Sequence, residues 1–139
     1  MFENILLAAD GSVHSLRAAE KAICLIKNKE TADIKVVYVV DSSTSKSDVL
    51  KNLDDHDIAE KRKQKLKDIF ALLESSGVKH ELKVIHGEPG ETLVEYANNH
   101  KFDCLVIGSR GLNRFQSMVL GGVSHTVAKG AKCPVMIVK

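Results

Sequence analysis

Apolar runs of strand length alternate along the chain with longer segments in which apolar residues recur every three or four positions. Asn4 to Ala9, Ile34 to Val40 and Cys104 to Ile107 are nearly unbroken apolar runs, the pattern of strands covered on both faces of a parallel sheet, and they predict central strands. Glu81-Leu82-Lys83-Val84-Ile85 alternates polar and apolar positions, which predicts a strand with one face partly open to solvent, continuing to His86 and broken by Gly87. Pro134 to Val138 closes the chain as a fifth strand. A first helix is expected from about Val13 to Lys27, capped by Ser12, with Leu16, Ala19, Ile23 and Ile26 facing inward. A long second helix is expected from about Asp54 to Ser75, with acids first (Asp54, Asp55, Asp57), bases after them (Lys61, Arg62, Lys63, Lys65, Lys67) and an apolar side of Ile58, Leu66, Ile69, Phe70 and Leu73. A third runs from Pro89, suited to a first helical turn, to about Asn99 with Leu93, Val94 and Ala97 inward, and a fourth opens at Gly121-Gly122. The alternation predicts one α/β domain over residues 1–139, a parallel sheet wrapped by helices. Asp41 to Asn52 is polar and serine-rich; it reads as a connection whose conformation the sequence leaves open.

Composition narrows the classes. The 139 residues are 44% hydrophobic and 27% charged with a formal net charge of +2, enough for one core and without the basic excess that nucleic acid or an anionic membrane surface calls for. No apolar run approaches bilayer length, and the first residues lack a basic region before an apolar run that ends at Asp10, so an unexported, cytoplasmic protein is expected. Cys24, Cys104 and Cys133 are widely spaced without a Cys-x-x-Cys pair, which predicts buried, reduced thiols and neither a zinc site nor a disulfide. The lysine-rich part of the second helix reads as a solvated face.

The segment from Ile107 to Thr126 carries the candidate chemistry. It follows a buried strand and leads into a helix, whose first N–H groups lack partners and whose dipole favours an anion. Gly108 and Gly111, then Gly121 and Gly122, would admit close backbone approach, and Arg110 and Arg114 would add positive charge. A tight turn with close helix packing and no ligand accounts for the same glycines. Neither a Gly-x-x-x-x-Gly-Lys-Ser/Thr nor a Gly-x-Gly-x-x-Gly loop occurs, which removes P-loop NTPases and nicotinamide-dependent dehydrogenases of the usual fingerprint. His14 and His125 sit on first helical turns near the expected crevice, but with no nameable carboxylate partner they read as surface residues.

Gly108-x-x-Gly111, nine residues, then Gly121 resembles the Gly-x-x-Gly-x9-Gly-Ser/Thr signature of the ATP-binding universal stress proteins. The resemblance spans the chain: Asp10-Gly11-Ser12 after the first strand, Val37-Tyr38-Val39-Val40-Asp41 at the end of the second, and Ala131-Lys132-Cys133-Pro134-Val135-Met136-Ile137-Val138. It implies a five-stranded parallel sheet in the order 3-2-1-4-5 with helices on both faces, Rossmann-like and of the adenine nucleotide α-hydrolase type. Ala9 and Asp10 would border the nucleotide and Val39 would meet adenine through its backbone. Ile107, Gly108, Arg110, Gly111, Gly121, Gly122, Val123 and Ser124 would surround the ribose and phosphates. An acid beside phosphates needs an intervening cation, so the resemblance also implies Mg²⁺ or Mn²⁺ at Asp10. One position departs from the signature: its Ser/Thr is Gly122 here, removing a hydroxyl donor and a good helix cap worth about 0.5–1.5 kcal/mol as one hydrogen bond, with Ser124 a partial substitute. The family further implies a homodimer through the terminal strand 134–138, a stress-response role and slow hydrolysis at most. An ATP-independent dimeric interaction module and a cyclic AMP binder are the alternatives.

Overall fold

A computed structural model describes residues 2–41, 46, 49–110 and 121–139. Strand β1 (Asn4–Ala8) runs through the middle of the sheet, with β2 (Asp33–Val40) on one side and β4 (Cys104–Gly108) on the other; β3 (Lys79–His86) lies beyond β2 and β5 (Val135–Val138) beyond β4. The order is therefore β3-β2-β1-β4-β5, and every pair is parallel. This is the expected fold.

Side chains alternate across β1, so Ile5 and Leu7 enter one core and Leu6 and Ala8 the other. The first core is closed by α1 (Val13–Leu25) and α3 (Lys67–Ser76), the second by α4 (Pro89–Asn99) and α5 (Gly122–Gly130). Ile5, Leu6 and Leu7 are wholly buried, and each such side chain stabilises the fold by about 1.5–3 kcal/mol. Both faces of the sheet are covered, which is why its central strands read as continuous apolar runs.

Four local expectations change. The face of α1 that is fully buried is Ser15, Ala18, Ala19 and Ala22, while Leu16, Ile23 and Ile26 pack partly exposed at its margin; small residues let the helix lie close to the sheet. The helix stops at Leu25 because Ile26 turns extended and bridges to Phe2. The long second helix is two: α2 (Asp55–Lys65), with a reciprocal Asp54/Asp57 capping box and no buried residue, and α3, which buries Ile69 and Leu73. Leu66 lies between them with φ −100° and ψ 5°, outside helical geometry, and is itself 1% exposed. Cys24 is exposed, whereas Cys104 is buried and Cys133 partly so, and burial pushes the last two thiols above their ordinary pKa. All three are free cysteines.

Candidate functional site

The strand order reverses between β1 and β4, and in an open parallel sheet a crevice forms where the chains leaving such strands turn to opposite faces. A cavity of about 260 Å³ lies there. Ala8, Ala9 and Asp10 reach it from β1, Val37, Tyr38, Val39 and Asp41 from β2, and Ile107, Gly108 and Arg110 from β4. The start of α5 adds Gly121, Gly122, Val123 and Ser124, and three other helices complete the lining with Ser15 of α1, Lys65 of α2 and Pro89 and Leu93 of α4. Ten positions singled out in the sequence thus share one cavity; Gly111 and Arg114 lie outside the described residues.

The loop leaving β1 is fixed by its own polar side chains. Asp10 Oδ1 accepts the Ser12 N–H at 2.9 Å, Gly11 takes φ +86°, and Ser12 Oγ accepts the Ser15 N–H at 3.1 Å as the α1 cap. The carboxylate is thereby held at the cavity edge by an Asx turn. Gly108 proves to be needed for packing: a Cβ there would stand 2.7 Å from His14 Cβ, 2.8 Å from its carbonyl carbon and 2.9 Å from its oxygen. The glycine lets α1 press against the end of β4, the packing explanation of that position.

At the start of α5, Gly121 is the cap residue, its N–H donating to Ser109 O at 2.7 Å, and no side chain among the described residues caps the helix. The first N–H groups of a helix lack an intrahelical partner; in α5 these belong to Gly122, Val123 and Ser124, which line the cavity. The missing hydroxyl at Gly122 therefore falls on the first helical residue, not on the cap. A Cβ at Gly122 meets no described residue within 4 Å. Ser124 does not substitute for the hydroxyl: it is 2% exposed and its Oγ donates to Gly108 O at 2.5 Å, tying α5 to β4.

Charges of both signs border the cavity, Arg110 and Lys65 against Asp10 and Asp41. Among the described residues no cluster of three His, Cys, Asp or Glu side chains could hold a metal by itself; a divalent cation here would use carboxylate oxygen together with ligand oxygens, a donor set suited to Mg²⁺ or Mn²⁺. His125 is exposed, and neither it nor His14 lines the cavity. Lys65 was concealed in the sequence by its lysine-rich surroundings, its one signal being that it directly precedes the buried Leu66. Tyr38 and Asp41 belonged to a quoted motif without an assigned role, and Ser15, Pro89 and Leu93 gave only helix signals. No helix among the described residues is long and apolar enough to cross a membrane.

A family model described as the universal stress protein family matches residues 1–139. Universal stress protein MJ0531 of Methanocaldococcus jannaschii is 32% identical over 146 residues, covering 100% of this chain and 83% of that protein. Among solved structures, the protein MJ0577 shares the fold with a TM-score of 0.83 at 28% identity, covering 100% of this chain and 96% of that one. A universal stress protein family member from Arabidopsis thaliana, At3g01520 with AMP bound, has a TM-score of 0.68 at 24% identity over 99% of this chain and 91% of that chain, a likeness of fold.

Proposed function

The chain belongs to the universal stress protein family, and on that footing we propose that its cavity binds an adenine nucleotide, ATP with Mg²⁺ or Mn²⁺, in a cytoplasmic stress-response homodimer whose partner surface depends on occupancy. The observation that carries this reading is the start of α5, without a side-chain cap among the described residues, opening onto a cavity at the reversal of strand order. Three N–H donors and the positive end of a helix at one wall suit phosphate oxygens, with Arg110 lining the same cavity; Gly111, by the family resemblance, is assigned to the phosphates as well. The apolar wall of Val37 and Leu93 suits a base, held through main-chain groups of Val39. The volume lies a little below the roughly 300–1,000 Å³ of drug-sized pockets and suits one mononucleotide. AMP in the Arabidopsis relative is in keeping with this.

Asp10 is the residue we assign to the divalent ion, sharing it with phosphate oxygens; the ion would offset repulsion between carboxylate and phosphates. Ala9 and Ile107 border the ribose. The role we assign is binding, with slow hydrolysis at most: no histidine is among the described cavity-lining residues, and Asp10, the carboxylate we give to the divalent ion, is then committed to it. Dimerisation is assigned to strand 134–138: β5 is an edge strand whose Val135, Met136 and Ile137 are only partly buried, and an apolar edge is normally covered.

Calorimetric titration with ATP and Mg²⁺ tests the binding. Saturable binding of one nucleotide per chain is expected, and it should be lost in Gly121→Val, whose Cβ would lie 3.3 Å from Ser109 O and crowd the approach to the donors. Failure of the unaltered protein to bind would leave an ATP-independent dimeric module as the better reading; preference for cyclic AMP in competition would reassign the ligand.

A further inference from the structure

Lys65 lines the cavity although it ends α2, a helix with no buried residue. Its Nζ donates to Tyr38 Oη at 3.4 Å and stands 6.0 Å from the centre of that ring. Arg62, one turn earlier on the same face, places Cζ 5.9 Å from the ring centre. Tyr38 is itself 6% exposed, so α2 rests its last turn on a fixed aromatic platform. The other support is Gly11, where a Cβ would lie 3.1 Å from Lys65 O and 3.2 Å from Lys65 Cβ. The C-terminal turn of α2 is therefore seated on the loop that carries Asp10, while most residues of its earlier turns are exposed.

The Lys65 contact is a poor use of an ammonium group. A 3.4 Å separation lies at the long end of hydrogen bonding, and a neutral phenol is a weaker acceptor than an anionic oxygen. The flexible four-carbon stem lets Nζ change partners without moving the helix backbone. Building on the nucleotide reading above, we propose that Lys65 is an anion-contacting residue of this cavity, exchanging Tyr38 for a phosphate oxygen, and that the exchange holds the last turn of α2 more firmly in its seat on the β1 loop. Occupancy is then reported on an exposed helix outside the cavity.

The test uses the full chain and two ligands, ATP with Mg²⁺ and adenosine, against Lys65→Met and Tyr38→Phe, with folding checked by thermal denaturation. One partly exposed charge-assisted contact corresponds to about tenfold in affinity. Lys65→Met should weaken ATP by that factor and leave adenosine within about twofold, whereas Tyr38→Phe, which removes only the competing acceptor, should leave ATP binding as tight or slightly tighter. Amide hydrogen exchange across 55–65 should slow when ATP binds the unaltered protein and not when it binds Lys65→Met. Unchanged ATP affinity in Lys65→Met, equal losses for ATP and adenosine, a Tyr38→Phe loss equal to that of Lys65→Met, or exchange in α2 indifferent to ATP would each overturn the proposal while nucleotide binding stands. If the unaltered protein binds neither ligand, the nucleotide reading fails and the Lys65 contact falls with it.

Discussion

Gly108→Ala separates a glycine kept for packing from one kept for a ligand. The added methyl would stand 2.7–2.9 Å from three atoms of His14, two of them main-chain, where carbon contacts ordinarily settle at about 3.5–4.0 Å. A main-chain carbonyl in a helix cannot rotate aside, so α1 must retreat from β4 by about 1 Å. That movement opens the contacts of Ala18, Ala19 and Ala22, all fully buried, and a gap of that size forfeits a quarter to a half of each dispersion contact. The combined cost expected for such overpacking is about 1–3 kcal/mol. For a chain of 139 residues each kcal/mol lowers Tm by about 3–5 °C, so Tm should fall by about 3–15 °C. Urea denaturation should show a lower midpoint with an unchanged slope, since the surface exposed on unfolding is the same. An unaltered midpoint together with lost nucleotide affinity would refute the reasoning and place the missing Cβ on the ligand side.

Three further outcomes follow from the same geometry. Gly122→Ser adds a hydroxyl where no described residue stands within 4 Å and should tighten ATP about two- to tenfold, the worth of one hydrogen bond; weaker binding by calorimetry would show that the position tolerates only glycine. Pro134 O and Val138 O accept from Leu105 and Ser109, so main-chain groups of Val135 and Ile137 point away from β4; Val135→Pro, at the first strand position, should dissociate the proposed dimer in sedimentation velocity while the monomer keeps its Tm. Asp103 Oδ2 accepts the N–H groups of Glu3 and Asn4, both at 2.9 Å, and the Asn4 and then the Glu3 hydrogen bond hold its carboxyl below the usual range. A carboxylate with a depressed folded pKa contributes stability above its unfolded pKa and loses it as pH falls through the folded value. Asp103→Ala should therefore narrow the stability difference between pH 7 and pH 3; an unchanged difference would show the carboxylate to be fully solvated.

How much of the molecule was legible depended on whether a feature rests on periodicity or on contact between distant segments. The strands around Leu6, Val36 and Val106 announced themselves because burial on both faces forces unbroken apolar runs, and Ser12 before α1 carried its cap in its residue type. Period alone did not show that α1 would bury its alanines while Leu16 and Ile23 lay at the margin, since the closeness of a helix to a sheet is set by what faces it, here Gly108. The pattern from Ile58 to Leu73 gave no sign of the break at Leu66, because the apolar period continues through it, as do the hydrogen bonds Leu66 N to Arg62 O and Phe70 N to Leu66 O, and only the backbone angles of one buried residue mark it. The cavity was legible where main-chain donors make it, at Gly121 to Val123, and illegible where side chains arrive from elsewhere, as Lys65 does. Ser124 had the right atom in the right segment, but its hydroxyl is committed to Gly108 O, a partner sixteen residues away that no local rule supplies.

The most direct test of the central claim is amide chemical-shift mapping of the ¹⁵N-labelled protein during titration with ATP and Mg²⁺. Binding at the start of α5 predicts that the amides of Gly122, Val123 and Ser124 shift most, with Val39 and Asp10 moving in step along one saturable curve. Shifts confined to other surfaces, or saturation without movement at 122–124, would contradict it.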